Sequence, residues 1–396
     1  MKYVNHSIIL GSVLFLISVP AMAQESVSDF LRGIEEQSLH MRAERQNADA
    51  RAIASRVGIN PANPEVNYEY MPGTHQTEGV RQTYGVTQQI DWPGVYSAKS
   101  KYAKLEQQQA GADFAGLRQD MLLRAKQVCY EMVYLTKMDR ILTRRLELAG
   151  QTRASTHKRF EMGEATALDI NRAEMFLATV RAQLMENRLL METDRSELAI
   201  ICDVPYVETA GFAYIDNPAE DLSGVVEEAM ASAPSIRAVR LEADKSRTNI
   251  SIQRAETLPS FNVGVAGEQI TAIDSFFGVT AGVSIPLWGG ANKVKAAKAR
   301  NIAVALRAQS TEVDTRLLLE NTVARAEMAR ERFLEGVSLK NIHEGIALVA
   351  KDFELGNSSI VAYLGELLFY YENESQWLTL EYEMYVALAE ALKHRL

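Results

Sequence analysis

Proline is the residue this chain distributes most unevenly. Of its ten prolines, none lies from Gly94 to Val204 and none from Leu287 to Leu396, so two long stretches contain nothing that must break a helix. Cysteine is nearly absent: Cys129 and Cys202 are the only two. Both fall in helical patterns, where a small buried apolar role and a bridge between similar heights are both open. Past the first 23 residues no apolar run reaches the roughly 18 residues of a transmembrane helix, so any passage through a membrane must be made by strands. His40, His75, His157, His343 and His394 are dispersed, and HExxH, GxSxG and glycine-rich phosphate loops are missing, which leaves no enzyme and no cofactor to expect. Scattered Met and Glu make no cluster with metal-ligand spacing.

The chain begins with Lys2, an apolar run from Ile8 to Val19 and Ala21-Met22-Ala23, the layout of a cleaved secretory leader over residues 1–23. Removing it leaves 41 basic against 51 acidic residues, an acidic balance that argues against nucleic acid as a partner. Export is the expectation, without an N-terminal lipid anchor, since no cysteine follows the cleavage site.

The two proline-free stretches carry matching landmarks. From Gly94 to Phe160, apolar residues Phe114, Leu117, Met121, Ala125, Val128, Met132, Leu135, Met138, Leu142, Leu146 and Ala149 keep a three-four spacing, the seam of a coiled coil. Such a helix is about 100 Å long and needs equally long partners. Gln89-Ile90-Asp91-Trp92-Pro93-Gly94 leads into it, and Ile285-Pro286-Leu287-Trp288-Gly289-Gly290 leads into a second, expected from Gly290 to Phe353. Arg159-Phe160-Glu161-Met162-Gly163 closes the first and Asp352-Phe353-Glu354-Leu355-Gly356 the second. Two halves on one plan follow: a first repeat over 24–202, a connector over 203–221 and a second repeat over 222–396.

Within each half the order is helix, two strands, long helix, return helix. Val27 to Val57 reads as one helix, ended by Gly58 and Asn60-Pro61. Asn63 to Tyr70 and Val80 to Asp91 read as strands. Gly163 suits a left-handed C-cap, and Thr166 to Asp169 a capping box that opens a return helix to about Ile201. In the second half Leu222 to Glu256 is helical with one interruption at Pro234. Strands from Phe261 to Ala266 and from Phe277 to Ile285 follow, and Gly356-Asn357-Ser358-Ser359 is the second tip.

Strands of about ten residues cross a bilayer at a tilt, and a spanning sheet must close because open edges in lipid leave backbone groups unsatisfied. One chain has too few strands for the smallest barrels, so insertion requires several copies. Trp92 and Trp288 stand at the strand-to-helix junctions, where amphipathic rings mark a membrane boundary. The competing reading is a secreted or periplasmic coiled-coil scaffold without transport activity.

Ala233-Pro234-Ser235-Ile236-Arg237-Ala238, the passage Ala255-Glu256-Thr257-Leu258-Pro259-Ser260-Phe261 and Gly282-Val283-Ser284-Ile285-Pro286-Leu287-Trp288-Gly289-Gly290 resemble, in order and spacing, the TolC family of outer-membrane efflux proteins. The resemblance implies a mixed, mainly α fold. Long antiparallel coiled-coil hairpins form a periplasmic α-barrel, and four strands per chain contribute to a trimeric twelve-stranded transmembrane β-barrel. It implies a homotrimer in the outer membrane of a Gram-negative bacterium, in contact with outer-membrane lipid, a periplasmic adaptor protein and an inner-membrane pump of RND or ABC type. Asn63-Pro64-Glu65-Val66 and Gln88 to Gly94 resemble the CzcC-like heavy-metal branch. The implied adaptor contacts are the tips: Gly163, Glu164, Ala165, Thr166, Gly356, Asn357, Ser358 and Ser359. Asp169 matches an acidic residue that helps close the tunnel in relatives, Phe353 stands where a gate tyrosine is found, and Glu366 offers a ring of carboxylates. Ser358, Ala362 and Gly365 depart from the family's polar lock.

Overall fold

A computed structural model describes residues 26–73, 79–271, 275–288 and 290–396; the leader expected over 1–23 lies outside the described residues. The chain is mainly helical, with one four-stranded antiparallel sheet in the order β1-β2-β3-β4. The strands are β1 (Glu65–Pro72), β2 (Val80–Ile90), β3 (Ser260–Ile270) and β4 (Ser275–Ser284), so strands far apart in sequence pair at the centre.

The register gives this sheet two unlike faces. Val66, Val86, Val265 and Val279 form one row across all four strands, and Tyr68, Tyr84, Gly267 and Phe277 the next. Ile90, Phe261 and Val283 continue the same face. On the other face Glu65, Thr87, Gly264 and Thr280 make one row and Asn67, Gly85, Ala266 and Gly278 another. That face is polar or small apart from Met71, Ile270 and Phe276, and Arg81 pairs there with Glu268 at 2.7 Å. At Gly267 a Cβ would stand 2.4 Å from the Tyr84 ring; glycine lets the tyrosine lie across the neighbouring strand. Every residue of β1 and β4 is exposed in the single chain, with Phe277 at 74% and Val279 at 85%.

The helices run α1 (Val27–Gln37), α2 (Leu39–Ala54), α3 (Pro93–Glu161), α4 (Ala167–Cys202), α5 (Val225–Ser232), α6 (Pro234–Ala255), α7 (Gly290–Leu334), α8 (Leu339–Glu354) and α9 (Ile360–Ala391). The 69 residues of α3 are unbroken, because the stripe stays apolar where partners change: Ala125, Val128, Met132, Leu135 and Leu142 are all buried. Its sheet-proximal part lies along α2 and α6, and its distal part pairs with α4 and meets α9. Helix α6 packs on α7, while α7 and α8 pack on α9. Cys129 and Cys202 sit as thiols in one buried cluster with Val27, Ile34, Leu122 and Leu198.

Polar contacts fix the helices to one another. Lys126 pairs with Asp216 of the connector at 2.7 Å, and the Tyr130 hydroxyl donates to the same carboxylate at 2.8 Å. Arg145 on α3 donates to Glu374 on α9 at 2.8 Å and to the Tyr371 carbonyl at 2.7 Å, while His343 on α8 bonds the other Glu374 oxygen at 2.9 Å.

Two expected helices are each broken once. The N-terminal helix splits at Ser38, where the Asp203 carboxylate accepts from the Leu39 amide at 2.7 Å and the His40 amide at 3.3 Å. A residue remote in sequence thus caps α2 and fixes its start. The second long helix, expected to run unbroken to Phe353, stops at Leu334 and restarts at Leu339. Gly336 lowers helix propensity there, and Ser338 takes the extended backbone of an N-cap. The restart seats α8 close on α9: a Cβ on Gly345 would lie 2.3 Å from the Tyr370 ring.

Candidate functional site

At the end remote from the sheet the two hairpin tips come together. The α3 end closes on Gly163 at φ 77°, with the Gly163 amide donating to the Phe160 carbonyl at 2.9 Å and the Glu164 amide to the Arg159 carbonyl at 2.7 Å. The α8 end closes on Gly356, also at φ 77°, with Gly356 donating to Phe353 at 3.0 Å and Asn357 to Asp352 at 3.1 Å. Both glycines hold the left-handed backbone that side chains resist. The reversals are one hydrogen-bond pattern made twice.

The helices that return from them begin differently. Thr166 and Asp169 form a reciprocal capping box: the Asp169 amide donates to Thr166 Oγ1 at 3.3 Å, and the Thr166 amide donates to Asp169 Oδ2 at 2.9 Å. The Thr166 hydroxyl, and then its backbone amide, hold the Asp169 carboxyl below the usual range. At the second tip Ser359 Oγ accepts from the Ala362 amide at 3.3 Å, and an alanine cannot return the bond.

Between the tips lies a cleft of about 120 Å³ lined by Thr156, Arg159, Glu164, Ala165, Asp169, Phe353, Ser358, Ser359 and Ile360. It brings together residues of both tips and two of the three gate candidates. Phe353 is buried between the hairpins, stacked on Tyr363 with centroids 4.1 Å apart, and the Arg159 guanidinium lies 5.4 Å from its centroid. Such a cation over an aromatic face is an attractive contact. Ser358 Oγ is buried with no hydrogen-bond partner among the described residues. Glu366 is exposed and outside the cleft lining.

Arg159 and Thr156 in the cleft lining, and Tyr363 stacked behind Phe353, are residues that the sequence did not single out. The signal for Arg159 was in the paired tips: it occupies the position that Asp352 holds in the other, an inversion of charge within otherwise matching ends. At the opposite pole, Trp92 precedes α3, 40% exposed with its ring 6.2 Å from Phe261, and Trp288 follows β4, 87% exposed. Among the described residues no helix is long and apolar enough to cross a membrane.

Residues 225–392 match the family described as outer membrane efflux protein. The chain is 24% identical over 274 residues to the outer membrane protein TolC of Vibrio cholerae serotype O1, an alignment covering 62% of this chain and 58% of that relative's length. Its fold is similar to the CmeC outer membrane channel of Campylobacter jejuni, with a TM-score of 0.77 and 13% identity over 100% of this chain and 93% of the other. It is also similar to VceC of Vibrio cholerae, with a TM-score of 0.75 and 14% identity over 93% of this chain and 96% of that one.

Proposed function

We propose that this chain is a member of the outer membrane efflux protein family, which its residues 225–392 match, and that it is the outer-membrane channel subunit of a tripartite efflux system. One observation carries the reading: the sheet has one face dominated by valine and aromatic side chains and interrupted by Gln82, Gln88 and Gln269, a polar or small opposite face, and two outer edges without partners among the described residues. In water the apolar face is a large exposed patch; in a bilayer it is a lipid wall. The edges of β1 and β4 must then be paired, and one chain's four strands are too few to curl shut. Three copies supply twelve strands, with Trp92 and Trp288 as the boundary belt and the helices continuing the passage into the periplasm.

The tips are the contact for a periplasmic adaptor, which joins the channel to an inner-membrane pump. Both reversals expose apolar side chains, Met162 at 64% and Leu355 at 66%, and the Ser358 hydroxyl waits in the cleft between them. Asp169 and Phe353 act in closing the passage at this end. Phe353 does so by packing on Tyr363, and Glu366 stands on the exposed face of α9. The cargo is heavy-metal cations, a reading supported by the likeness of the passages at Asn63 to Val66 and Gln88 to Gly94 to the CzcC-like branch.

Purified protein in planar bilayers tests the channel: stable conductance from a heat-labile trimer is expected, and a monomer that stays folded in water without detergent overturns it. Bulky charged substitutions at both Gly163 and Gly356 should abolish export while leaving trimers in the membrane; normal metal tolerance of that double mutant removes the tip assignment.

A further inference from the structure

The chain as a whole is acidic, but the starts of the two helices that leave the sheet are not. From Pro93 to Leu105 there is no acidic residue, and Lys99, Lys101 and Lys104 fall within that span. From Gly290 to Thr311 there is again none, and Lys293, Lys295, Lys298 and Arg300 crowd its first turns. Those four are exposed, and among the described residues none of the seven cations makes an ion pair. Lys245 and Arg51, by contrast, are neutralised: Lys245 bonds Glu106 at 2.5 Å, and Arg51 bonds Asp113 at 2.8 Å. The starts of α3 and α7, directly after β2 and β4, thus carry seven cations without a carboxylate partner among the described residues.

We infer that these helix starts form a cationic collar that docks on the anionic phospholipid headgroups of the periplasmic leaflet. The inference rests on the reading that the sheet is inserted in the outer membrane. Gly290 to Arg300 spans about 15 Å of helix, so the first of these side chains lie at headgroup depth and the last within about a Debye length of it. At about 100° per residue, Lys293 and Arg300 share one side of α7 and Lys295 and Lys298 the other. Whichever side faces the passage, two cations face outward. Charge complementarity selects the partner: a neutral zwitterionic surface offers these lysines no net attraction, whereas an anionic one favours each cation near it by about fivefold.

The full chain, reconstituted in bilayers of phosphatidylcholine with one quarter phosphatidylglycerol, should restrict spin-labelled phosphatidylglycerol over spin-labelled phosphatidylcholine by at least about fivefold at low salt. The preference should fade in 1 M sodium chloride. A combined Lys293→Gln, Lys295→Gln, Lys298→Gln and Arg300→Gln variant should lose most of it while inserting as fully as the parent, judged by protease protection. Lys340→Gln with Lys351→Gln, remote from the sheet, should leave it unchanged. A parent that inserts without headgroup preference, or a variant that inserts and keeps it, overturns the collar alone. Failure of the parent to insert in either lipid overturns the membrane reading and the collar with it.

Discussion

The two tips close on the same hydrogen bonds, yet the phenylalanine three residues before each glycine meets opposite surroundings: Phe160 is 43% exposed and Phe353 is 6% exposed. Local chemistry decides how a helix ends; packing phase decides where its side chains point. Helix α3 runs unbroken from the sheet to its tip, so its phase there is set by the whole seam. The break between α7 and α8 resets the phase of the second helix, and α8 settles with Phe353 against Tyr363 and Gly345 against Tyr370. The second tip is thereby tied to the interior by aromatic stacking, and the first presents its ring outward.

The strongest way to break this contrast is to remove what pins the second hairpin to the first. Glu374→Ala leaves the buried Arg145 guanidinium without its carboxylate and should cost about 3–5 kcal/mol, read as lost hydrogen-exchange protection in α8 and α9. The exposed pair Arg153–Glu174 is the control, where Glu174→Ala should cost under about 1 kcal/mol. Phe353→Ala should then cost about 3 kcal/mol through the lost stack and the cavity, whereas Phe160→Ala should stay within about 1 kcal/mol. Equal losses at the two positions, measured by the same exchange experiment, would erase the difference between the tips.

The seams differ in their response to pH. Asp194 lies buried in the α3–α4 seam, with Oδ2 lacking a hydrogen-bond partner among the described residues. Burial first, then Glu131 and Glu197, push its carboxyl up to about 7 against the opposing pull of Arg124; Tyr382 faces the same group from α9. Because its folded pKa stands above the unfolded value, the first hairpin is most stable below about pH 4 with respect to this group and weakens as pH rises through 7. Asp194→Asn should remove that slope and stabilise α4 at pH 8.5 by roughly 2 kcal/mol, with little change at low pH. A parent slope that survives in the variant would place the titration elsewhere.

Much of this was legible in sequence because it is local or periodic. The glycine reversals, the Thr166 capping box and the alternation in β4 each use residues within a few positions of one another. The sheet register was not legible, since β2 and β3 pair across residues remote in the chain; nor was the buried Arg145–Glu374–His343 contact, whose members look like ordinary helix-surface charges one at a time. Both helix breaks escaped the sequence reading, for different reasons. At Gly336 the weak point was visible but carries no obligation to break. At Ser38 the break depends on the Asp203 carboxylate arriving from the end of α4, which no window around Ser38 contains. The contact of Arg159 was equally hidden, although the residue stood out between the paired tips, because its partner is the face of Phe353 from the other hairpin.

The smallest expected effect separates the starts of the two return helices. Thr166→Ala removes the oxygen that accepts the Asp169 amide and one of the donors that hold the Asp169 carboxylate, at a cost of about 1 kcal/mol; Ser359→Ala removes only an acceptor and should cost somewhat less. Acidification distinguishes them without mutation. Asp169 is held below its ordinary pKa, so its contribution is present above the unfolded value and is lost as pH falls through the folded one. The corresponding position of the second tip is Ala362, which has nothing to titrate. Exchange rates corrected for intrinsic pH dependence should therefore rise on acidification at Asp169 and Ile170 and hold steady at Ala362 and Tyr363. Parallel changes at both sites would mean that acid loosens the tips as one body, through the cleft they share, and that the capping box is not what sets the first tip apart.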